Sequence, residues 1–211
     1  LHQQAGRQQL FQVELGRGQH DKALAAVEAL EKAQPNSAPV QNAKGNVYMA
    51  KKDFKNARAS FEKAVALQPT MFQAVSNLAQ LDMNEKNVAG AKKRFETVLA
   101  KDKKNIEAMT ALALIEQSQG NMAGATSWLE KAQSENSAAV RPALALGSHY
   151  LRNKQPEKAL ALARKTIAIH PTDPELLDLM GQAQIATKDN VGALESYDKL
   201  AKSMPKSAQA Q

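Results

Sequence analysis

The sequence lacks cysteine altogether, and it is poor in aromatic residues and in long apolar runs. Without cysteine there is no disulfide framework, no thiolate metal site and no cysteine nucleophile. Only 4% of the residues are aromatic, which argues against a β-sandwich or β-barrel and favours helices. No apolar run reaches the roughly 18 residues of a membrane-spanning helix. The 211 residues are nevertheless enough to bury a sizeable core.

The net charge of +7 suggests nucleic-acid binding, but the basic residues are unevenly distributed. Residues 106–139 carry one basic and four acidic side chains, whereas residues 38–71 carry six and two. A phosphate-binding surface needs a continuous basic stripe. The densest runs, Lys92 to Arg94 and Lys101 to Lys104, lie between acidic residues. We therefore predict that these charges are solvated on helix faces and in loops, and that nucleic acid is not a partner.

The strongest pattern is an internal repeat of 34 residues that runs without a gap from residue 4 to residue 207. Its eighth position is glycine or alanine in every unit except the first, which has Phe11. Its twentieth position is always alanine: Ala23, Ala57, Ala91, Ala125, Ala159 and Ala193. Small residues at two such positions allow two helices to approach closely. The six units are 4–37, 38–71, 72–105, 106–139, 140–173 and 174–207.

Each unit is predicted to be a helix, a turn and a second helix. The seventh position is leucine or methionine in five units, with Lys44 as the exception. Turn residues such as Gly120 and Asn121 lie near the middle of the units. Proline occupies the thirty-second position in four units, with Lys103 and Ser137 in the others, and we expect it to end the second helix because it lacks a backbone N–H. No unit can bury its apolar face alone, so neighbouring units are expected to stack.

These columns resemble the signature of the tetratricopeptide repeat (TPR) family. The resemblance covers nearly the whole chain and implies an all-α, right-handed α-solenoid (superhelix) of six helix-turn-helix units, with a single TPR array at residues 4–207. The departures at Phe11, Lys44 and Ser137 concern local packing and not the fold. The residues of the second and fifth units that match the signature are Gly45, Tyr48, Ala57, Phe61, Ala64, Pro69, Leu146, Gly147, Tyr150, Ala159 and Pro171.

A narrower resemblance comes from two later runs, residues 141–171 and 173–186. Both are similar to the large TPR lipoproteins that accompany bacterial exosortase and PEP-CTERM sorting systems and exopolysaccharide export. This resemblance implies a periplasmic protein, or one attached to the membrane through an N-terminal lipid; a cytoplasmic protein is the alternative. Because the sequence begins at Leu1 and not at methionine, we expect it to be a fragment of a longer chain, with the anchoring cysteine outside it.

The sequence contains no catalytic, cofactor or metal motif, and we predict that the protein is not an enzyme. There is no G-x-S-x-G elbow and no phosphate-binding glycine loop. The four histidines lie without a second ligand at helical spacing, so His149 is expected to be structural. The single tryptophan, Trp128, is expected to be partly buried between units.

The remaining candidate site is the inner, concave surface, which the first helix of each unit lines in TPR arrays. In the first three units the fifth and ninth positions carry mostly uncharged amides, which can pair with a peptide backbone or with sugar hydroxyls. In the last two units the same columns hold Leu144, Ser148, Asp178 and Gln182. The alternative is that the amides only keep the helices soluble. The predicted partner-binding residues are Gln8, Gln12, Asn42, Asn46, Met49, Gln73, Ser76, Asn77, Gln80, Met83 and Thr110.

A TPR clamp for chaperone C-termini is excluded. Asn46 and Asn77 match the amides of that clamp, but Asn42, Glu107 and Ala111 stand where its three cations belong. Two amides without the cations cannot hold two carboxylates.

The sequence thus predicts a scaffold that binds a protein or peptide segment of unknown identity in the concave groove, in the setting of bacterial exopolysaccharide export and protein sorting. The alternatives are an accessory that binds glycan directly during that export and, less favoured, a nucleic-acid-binding module.

Overall fold

The computed structural model describes residues 11–203, and every regular element in that range is an α-helix. Residues 11–16 are helical, and eleven helices follow them. They are α1 (His20–Ala33), α2 (Ala38–Ala50), α3 (Phe54–Leu67), α4 (Phe72–Asn84), α5 (Val88–Lys101), α6 (Ile106–Ser118), α7 (Met122–Glu135), α8 (Val140–Arg152), α9 (Pro156–Ile167), α10 (Pro174–Ala186) and α11 (Asn190–Ser203).

The helices follow the 34-residue period. The even-numbered helices, here called A helices, begin at residues 38, 72, 106, 140 and 174. The odd-numbered helices, here called B helices, begin at residues 20, 54, 88, 122, 156 and 190. The predicted order of helix, turn and second helix is therefore confirmed, and the fold is all-α.

One kind of turn joins each A helix to its B helix. In each turn the N–H of one residue bonds to the carbonyl five residues earlier, as Asp53 does with Tyr48 at 2.9 Å. This is the Schellman ending of a helix, which needs a left-handed residue just before that N–H. The residues with positive φ, between 55° and 74°, are Gly18, Lys52, Lys86, Gly120, Lys154 and Lys188.

Most B helices begin at a residue that caps them. Asp53, Asn87, Asn121 and Asp189 each accept a hydrogen bond from the backbone N–H three residues later. Such a bond satisfies one of the N–H groups that a helix start leaves without a partner. The glutamine at the same position of the fifth unit, Gln155, forms no such bond.

Proline does not decide where a B helix ends, which corrects the sequence-based expectation. α5 and α7 end at Lys101 and Glu135 without a proline two residues later. They end at the same position of the unit as α1 and α3, which do precede a proline. Proline is compatible with this ending but is not its cause.

The alanines of the twentieth position lie in the core, as predicted, and none exposes more than 4% of its surface. The glycines of the eighth position show why small residues are needed there. A Cβ atom on Gly45 would lie 2.4 Å from the Phe61 ring, and one on Gly181 would lie 2.6 Å from the Tyr197 ring. In these units the eighth position therefore receives the aromatic side chain of the twenty-fourth position.

The fifth unit uses a different partner at this contact. Its twenty-fourth residue is Ala163, which is too small to fill the space. Here a Cβ atom on Gly147 would lie 2.5 Å from Leu179, which belongs to the next A helix. A neighbouring unit thus compensates for the small residue.

Two residues singled out in the sequence contribute to the core. Phe11, the exception at the eighth position, is buried in a cluster with Ala23, Ala26 and Val47. Trp128 is half-buried against a cluster shared by the fourth and fifth units. Partial burial of Trp128 is therefore confirmed.

The chain forms two compact halves, Leu1–Lys103 and Lys104–Gln211, here called the N-terminal and C-terminal halves. The boundary lies close to the end of the third unit. Within residues 11–203, no helix is both long enough and apolar enough to span a bilayer.

Candidate functional site

The N-terminal half contains a cavity of about 560 Å³, here called the amide cavity, which is lined by residues 11 and 12, by α1 and α2, and by residues at the start of α4. Phe11, Leu30 and Val40 are buried side chains that supply its apolar surface. Among residues 11–203, no charged side chain lines it. The described residues that line it are Phe11, Gln12, Leu30, Pro39, Val40, Asn42, Ala43, Asn46, Met71 and Gln73.

Four of the predicted binding residues meet at this cavity: Gln12, Asn42, Asn46 and Gln73. They come from three successive units, at the ninth, fifth, ninth and second positions. The repeat therefore brings amides that are up to 61 residues apart in sequence to one surface.

Asn77 orients two of these amides. Its Nδ2 donates to Asn46 Oδ1 at 3.0 Å and to Asn42 Oδ1 at 3.2 Å. Because both oxygens accept from Asn77, the NH₂ groups of Asn42 and Asn46, two residues that line the cavity, remain available as donors. Asn77 keeps its own oxygen as an acceptor.

The other predicted residues do not line the amide cavity. Gln80 is exposed and donates to Asn84 Oδ1 at 3.0 Å, while Ser76 and Met83 are half-buried. Met49 packs, half-buried, against the core cluster that contains Phe61.

Two predicted residues stand apart from this group. Thr110 belongs to the C-terminal half, and its hydroxyl donates to the Ile106 carbonyl at 2.8 Å. Gln8 lies outside the described residues.

A polar cluster beside the amide cavity explains Lys44, which departs from the apolar seventh position. Glu31 accepts hydrogen bonds from Lys44 at 2.6 Å, from Gln41 at 2.8 Å and from Lys63 at 3.0 Å. The hydrogen bonds from Lys44 and Gln41 lower the pKa of Glu31 to about 2. Lys44 is thus paired with the preceding unit, and its charge is compensated outside the cavity.

The basic run at Lys92 to Arg94 is not simply solvated, which corrects the prediction from sequence. The Arg94 guanidinium donates to the carboxylate of Asp82, whose side chain is only 3% exposed. Arg58 binds the same carboxylate at 2.8 Å. Burial alone would raise the pKa of Asp82, but the bonds from Arg94 and Arg58 outweigh it and hold that pKa below its usual value.

His149 is a buried hydrogen-bonded residue, in line with the structural role predicted for it. The Thr126 hydroxyl donates to the Met122 carbonyl, so its oxygen accepts from Nε2–H of His149 at 2.7 Å. The amide of Gln117 then donates to the other ring nitrogen, Nδ1, also at 2.7 Å. In the part of the chain that the structure describes, no group of three potential metal ligands occurs.

A second cavity, of about 550 Å³, lies on the A helices of the C-terminal half. Sequence reasoning did not select it, because its fifth- and ninth-position residues break the amide pattern of the first three units. The sequence did contain a sign of this cavity, because the fifth position changes from amides in the first units to leucine and aspartate in the last two. The lining consists of Leu144, Ser148, Pro174, Glu175, Asp178, Leu179, Gln182 and Leu200, and is here called the acidic cavity.

Comparisons with solved structures confirm the fold. A structure of PilW, described as a widely conserved type IV pilus biogenesis factor, is 17% identical, with a TM-score of 0.64 and coverage of 99% of this chain and 96% of that one. PilF of Pseudomonas aeruginosa is 19% identical, with a TM-score of 0.61 and coverage of 97% and 93%. YrrB, a TPR protein described as having an unusual peptide-binding site, is 17% identical, with a TM-score of 0.53 and coverage of 88% and 95%.

Family models agree with this result. Two models of the tetratricopeptide repeat match the sequence, one at residues 9–72 and the other at residues 48–115. A comparison with curated proteins finds no match. The repeated helix pairs, the buried small-residue columns and the family models together identify the chain as a tetratricopeptide repeat protein.

Proposed function

We propose that this protein is a non-catalytic scaffold that binds an extended, uncharged segment of a partner protein in the amide cavity. The observation that carries this proposal is the lining of that cavity, in which the described residues combine buried apolar side chains with four amides and carry no charge. Its volume of about 560 Å³ is sufficient for several side chains of a bound segment.

The amides match the needs of a peptide backbone. Each backbone N–H or C=O group that is buried without a partner costs about 1–3 kcal/mol. Asn42 and Asn46 offer N–H donors to carbonyls, and the amide oxygens of Gln12 and Gln73, which also line the cavity, offer acceptors to N–H groups. The two hydrogen bonds from Asn77 hold the two asparagine side chains in place before a ligand arrives, which lowers the entropy lost on binding.

The setting we propose is bacterial exopolysaccharide export and protein sorting, at the periplasmic side of the membrane and with a lipid anchor. The support for this setting is the resemblance of residues 141–171 and 173–186 to TPR lipoproteins of PEP-CTERM systems. Affinity purification from a bacterium that encodes both this chain and an exosortase tests it. Recovery of export or sorting components with the scaffold is expected, and their absence from the eluate would count against the setting.

The binding proposal is tested by replacing the two amides that Asn77 orients. Asn42→Ala combined with Asn46→Ala should weaken binding of a captured partner segment by about tenfold, as expected from losing one to two hydrogen bonds. Isothermal titration of the partner segment measures the change. Some loss of thermal stability is also expected, because Asn77 loses both acceptors.

The matched control removes two amides elsewhere. Gln68 and Gln119 are exposed in turns outside the amide cavity, so Gln68→Ala with Gln119→Ala should leave affinity unchanged. Binding should also respond little to salt, because the described residues that line the cavity carry no charge. A steep salt dependence, or binding of neutral oligosaccharides in place of peptides, would contradict the proposal.

A further inference from the structure

The acidic cavity differs from the amide cavity in chemistry although both are lined from the same repeat positions. At the second position of the unit, the amide cavity has Gln73 and the acidic cavity has Glu175. At the fifth position, the amide cavity has Asn42 and the acidic cavity has Asp178. The ninth position stays polar and uncharged in both, as in Gln182. The repeat therefore presents two carboxylates at positions that carry neutral amides in the other half.

Neither carboxylate forms an ion pair with a cation in the part of the chain that the structure describes. Among the ion pairs of the described residues, none involves Glu175 or Asp178. The partner of Asp178 is the amide of Gln182, which donates to it at 2.8 Å and adds no charge. Arg141, which stands at the second position of the preceding unit, does not line the cavity.

Apart from the ninth-position residues Ser148 and Gln182, the rest of the lining is apolar. Leu144, Leu179 and Leu200 form one side of the cavity, and Pro174 begins the helix that carries both carboxylates. A lysine or arginine side chain has the complementary shape, because its methylene groups pack on apolar surface while its charged end reaches a carboxylate.

An exposed leucine lies on the preceding A helix, α6. Leu114, at the ninth position of the fourth unit, exposes 58% of its surface. In the N-terminal half, the ninth-position Asn46 contacts the sixth-position Asn77 of the next unit. By the same repeat geometry Leu114 faces Ala145, the sixth-position residue that follows Leu144 on α8, and a large apolar side chain left exposed there marks a contact surface.

We propose that the acidic cavity binds a peptide segment in which a lysine or arginine lies next to an apolar side chain. The basic group pairs with Asp178 and Glu175, and the apolar neighbour packs on Leu144 and Leu114. This inference rests on the proposed peptide-scaffold function and adds a second, charge-selective site in the other half of the chain.

The test uses the full 211-residue chain and three short synthetic peptides. They share a leucine–serine frame and carry lysine, norleucine or glutamate at one central position. Amide chemical shifts of the ¹⁵N-labelled protein, followed through titration, give the affinity and the site together. The lysine peptide should bind about fivefold more tightly than the norleucine peptide, and the glutamate peptide more weakly than both.

Two double variants separate a specific site from general attraction. Glu175→Gln with Asp178→Asn should remove the preference for lysine over norleucine. Glu157→Gln with Glu195→Gln removes the same charge from exposed positions on B helices and should preserve that preference. Thermal unfolding of both variants verifies that they are folded.

The outcomes distinguish this inference from the proposed function. Equal affinities for lysine and norleucine peptides, an unchanged preference in the Glu175 and Asp178 variant, or no binding at millimolar peptide would each overturn the acidic-cavity proposal. The amide-cavity proposal is judged separately, by the Asn42 and Asn46 variant and its own partner segment. Loss of the lysine preference at high salt, with norleucine binding retained, supports the charge pairing.

Discussion

Four lysines hold a backbone conformation that suits glycine. Lys52, Lys86, Lys154 and Lys188 occupy the left-handed position of their turns, which Gly18 and Gly120 occupy in two other units. A residue with a Cβ atom pays about 1–2 kcal/mol to adopt this conformation. The Schellman bonds and the packing of the two joined helices keep the lysines there.

We therefore expect Lys188→Gly to raise the free energy of unfolding by about 0.5–1 kcal/mol. Glycine relieves the backbone strain of the left-handed conformation, but it also has more conformational freedom in the unfolded chain, which offsets part of the gain. Urea unfolding measures the change. Lys188→Ala is the matched control, because alanine retains Cβ and should give no gain. Gly120→Ala should do the opposite and lower stability by about 1 kcal/mol.

At the scale of single helices, α4 is held between α3 and α5 by one buried carboxylate. The carboxylate of Asp82 on α4 forms ion pairs with Arg58 of α3 and with Arg94 of α5. Two hydrogen-bonded guanidinium groups offset the free-energy cost of burying this charge. Replacing one of the two arginines would leave the buried carboxylate without enough compensating charge. A polar contact thus joins the second and third units within the N-terminal half.

Charge reversal at two adjacent residues of the basic run tests whether the ion-paired Arg94 matters more for stability than the exposed Lys93. Arg94→Glu places a second negative charge against Asp82 and should cost about 3 kcal/mol or more of stability. Lys93→Glu, on an exposed position of the same helix, should change stability by no more than about 0.5 kcal/mol. Denaturant unfolding of the two variants decides the point, and equal losses would mean that the Asp82 contacts contribute little.

At the scale of the whole molecule, the two halves contain different acid-sensitive groups. In the N-terminal half, Glu31 has a pKa of about 2 and Asp82 a lowered one, so both stay ionised at mildly acidic pH. In the C-terminal half, burial lowers the pKa of His149 from its usual 6.5; the nearby Arg152 adds to this effect and Glu130 opposes it. Of these three groups, the histidine is therefore the first to be affected as pH falls.

The sign of the effect follows from the direction of that shift. The folded protein holds His149 neutral, while the unfolded chain takes up its proton near pH 6.5, so stability is present above that pH and falls below it. Free energies of unfolding measured at about pH 7.5 and about pH 5.5 should show this loss. His149→Gln, which keeps hydrogen-bonding groups but does not titrate there, should show a smaller loss. An identical loss in the variant would assign the effect to other groups.

The fold could be predicted from the sequence because a repeat presents the same local information many times. Alanine at the twentieth position, small residues at the eighth and turn residues between them define two helices in each unit, and any one unit would have been ambiguous. The amides of the candidate site were also visible, since fifth and ninth positions lie on one helical face.

Tertiary structure alone decided which side chains meet across units. Asn77 could not be assigned to both Asn42 and Asn46, nor Arg94 to Asp82, from the spacing of residues, because these contacts depend on how one helix pair stacks on the next. The contact at Gly147 could not be predicted for the same reason, because Leu179 of the following unit fills the space beside Ala163. The acidic cavity could not be predicted either, because it exists only once two A helices lie side by side. Periodicity within a unit is local and is written in the sequence, whereas the pairing of side chains between units depends on distances that only the folded chain sets.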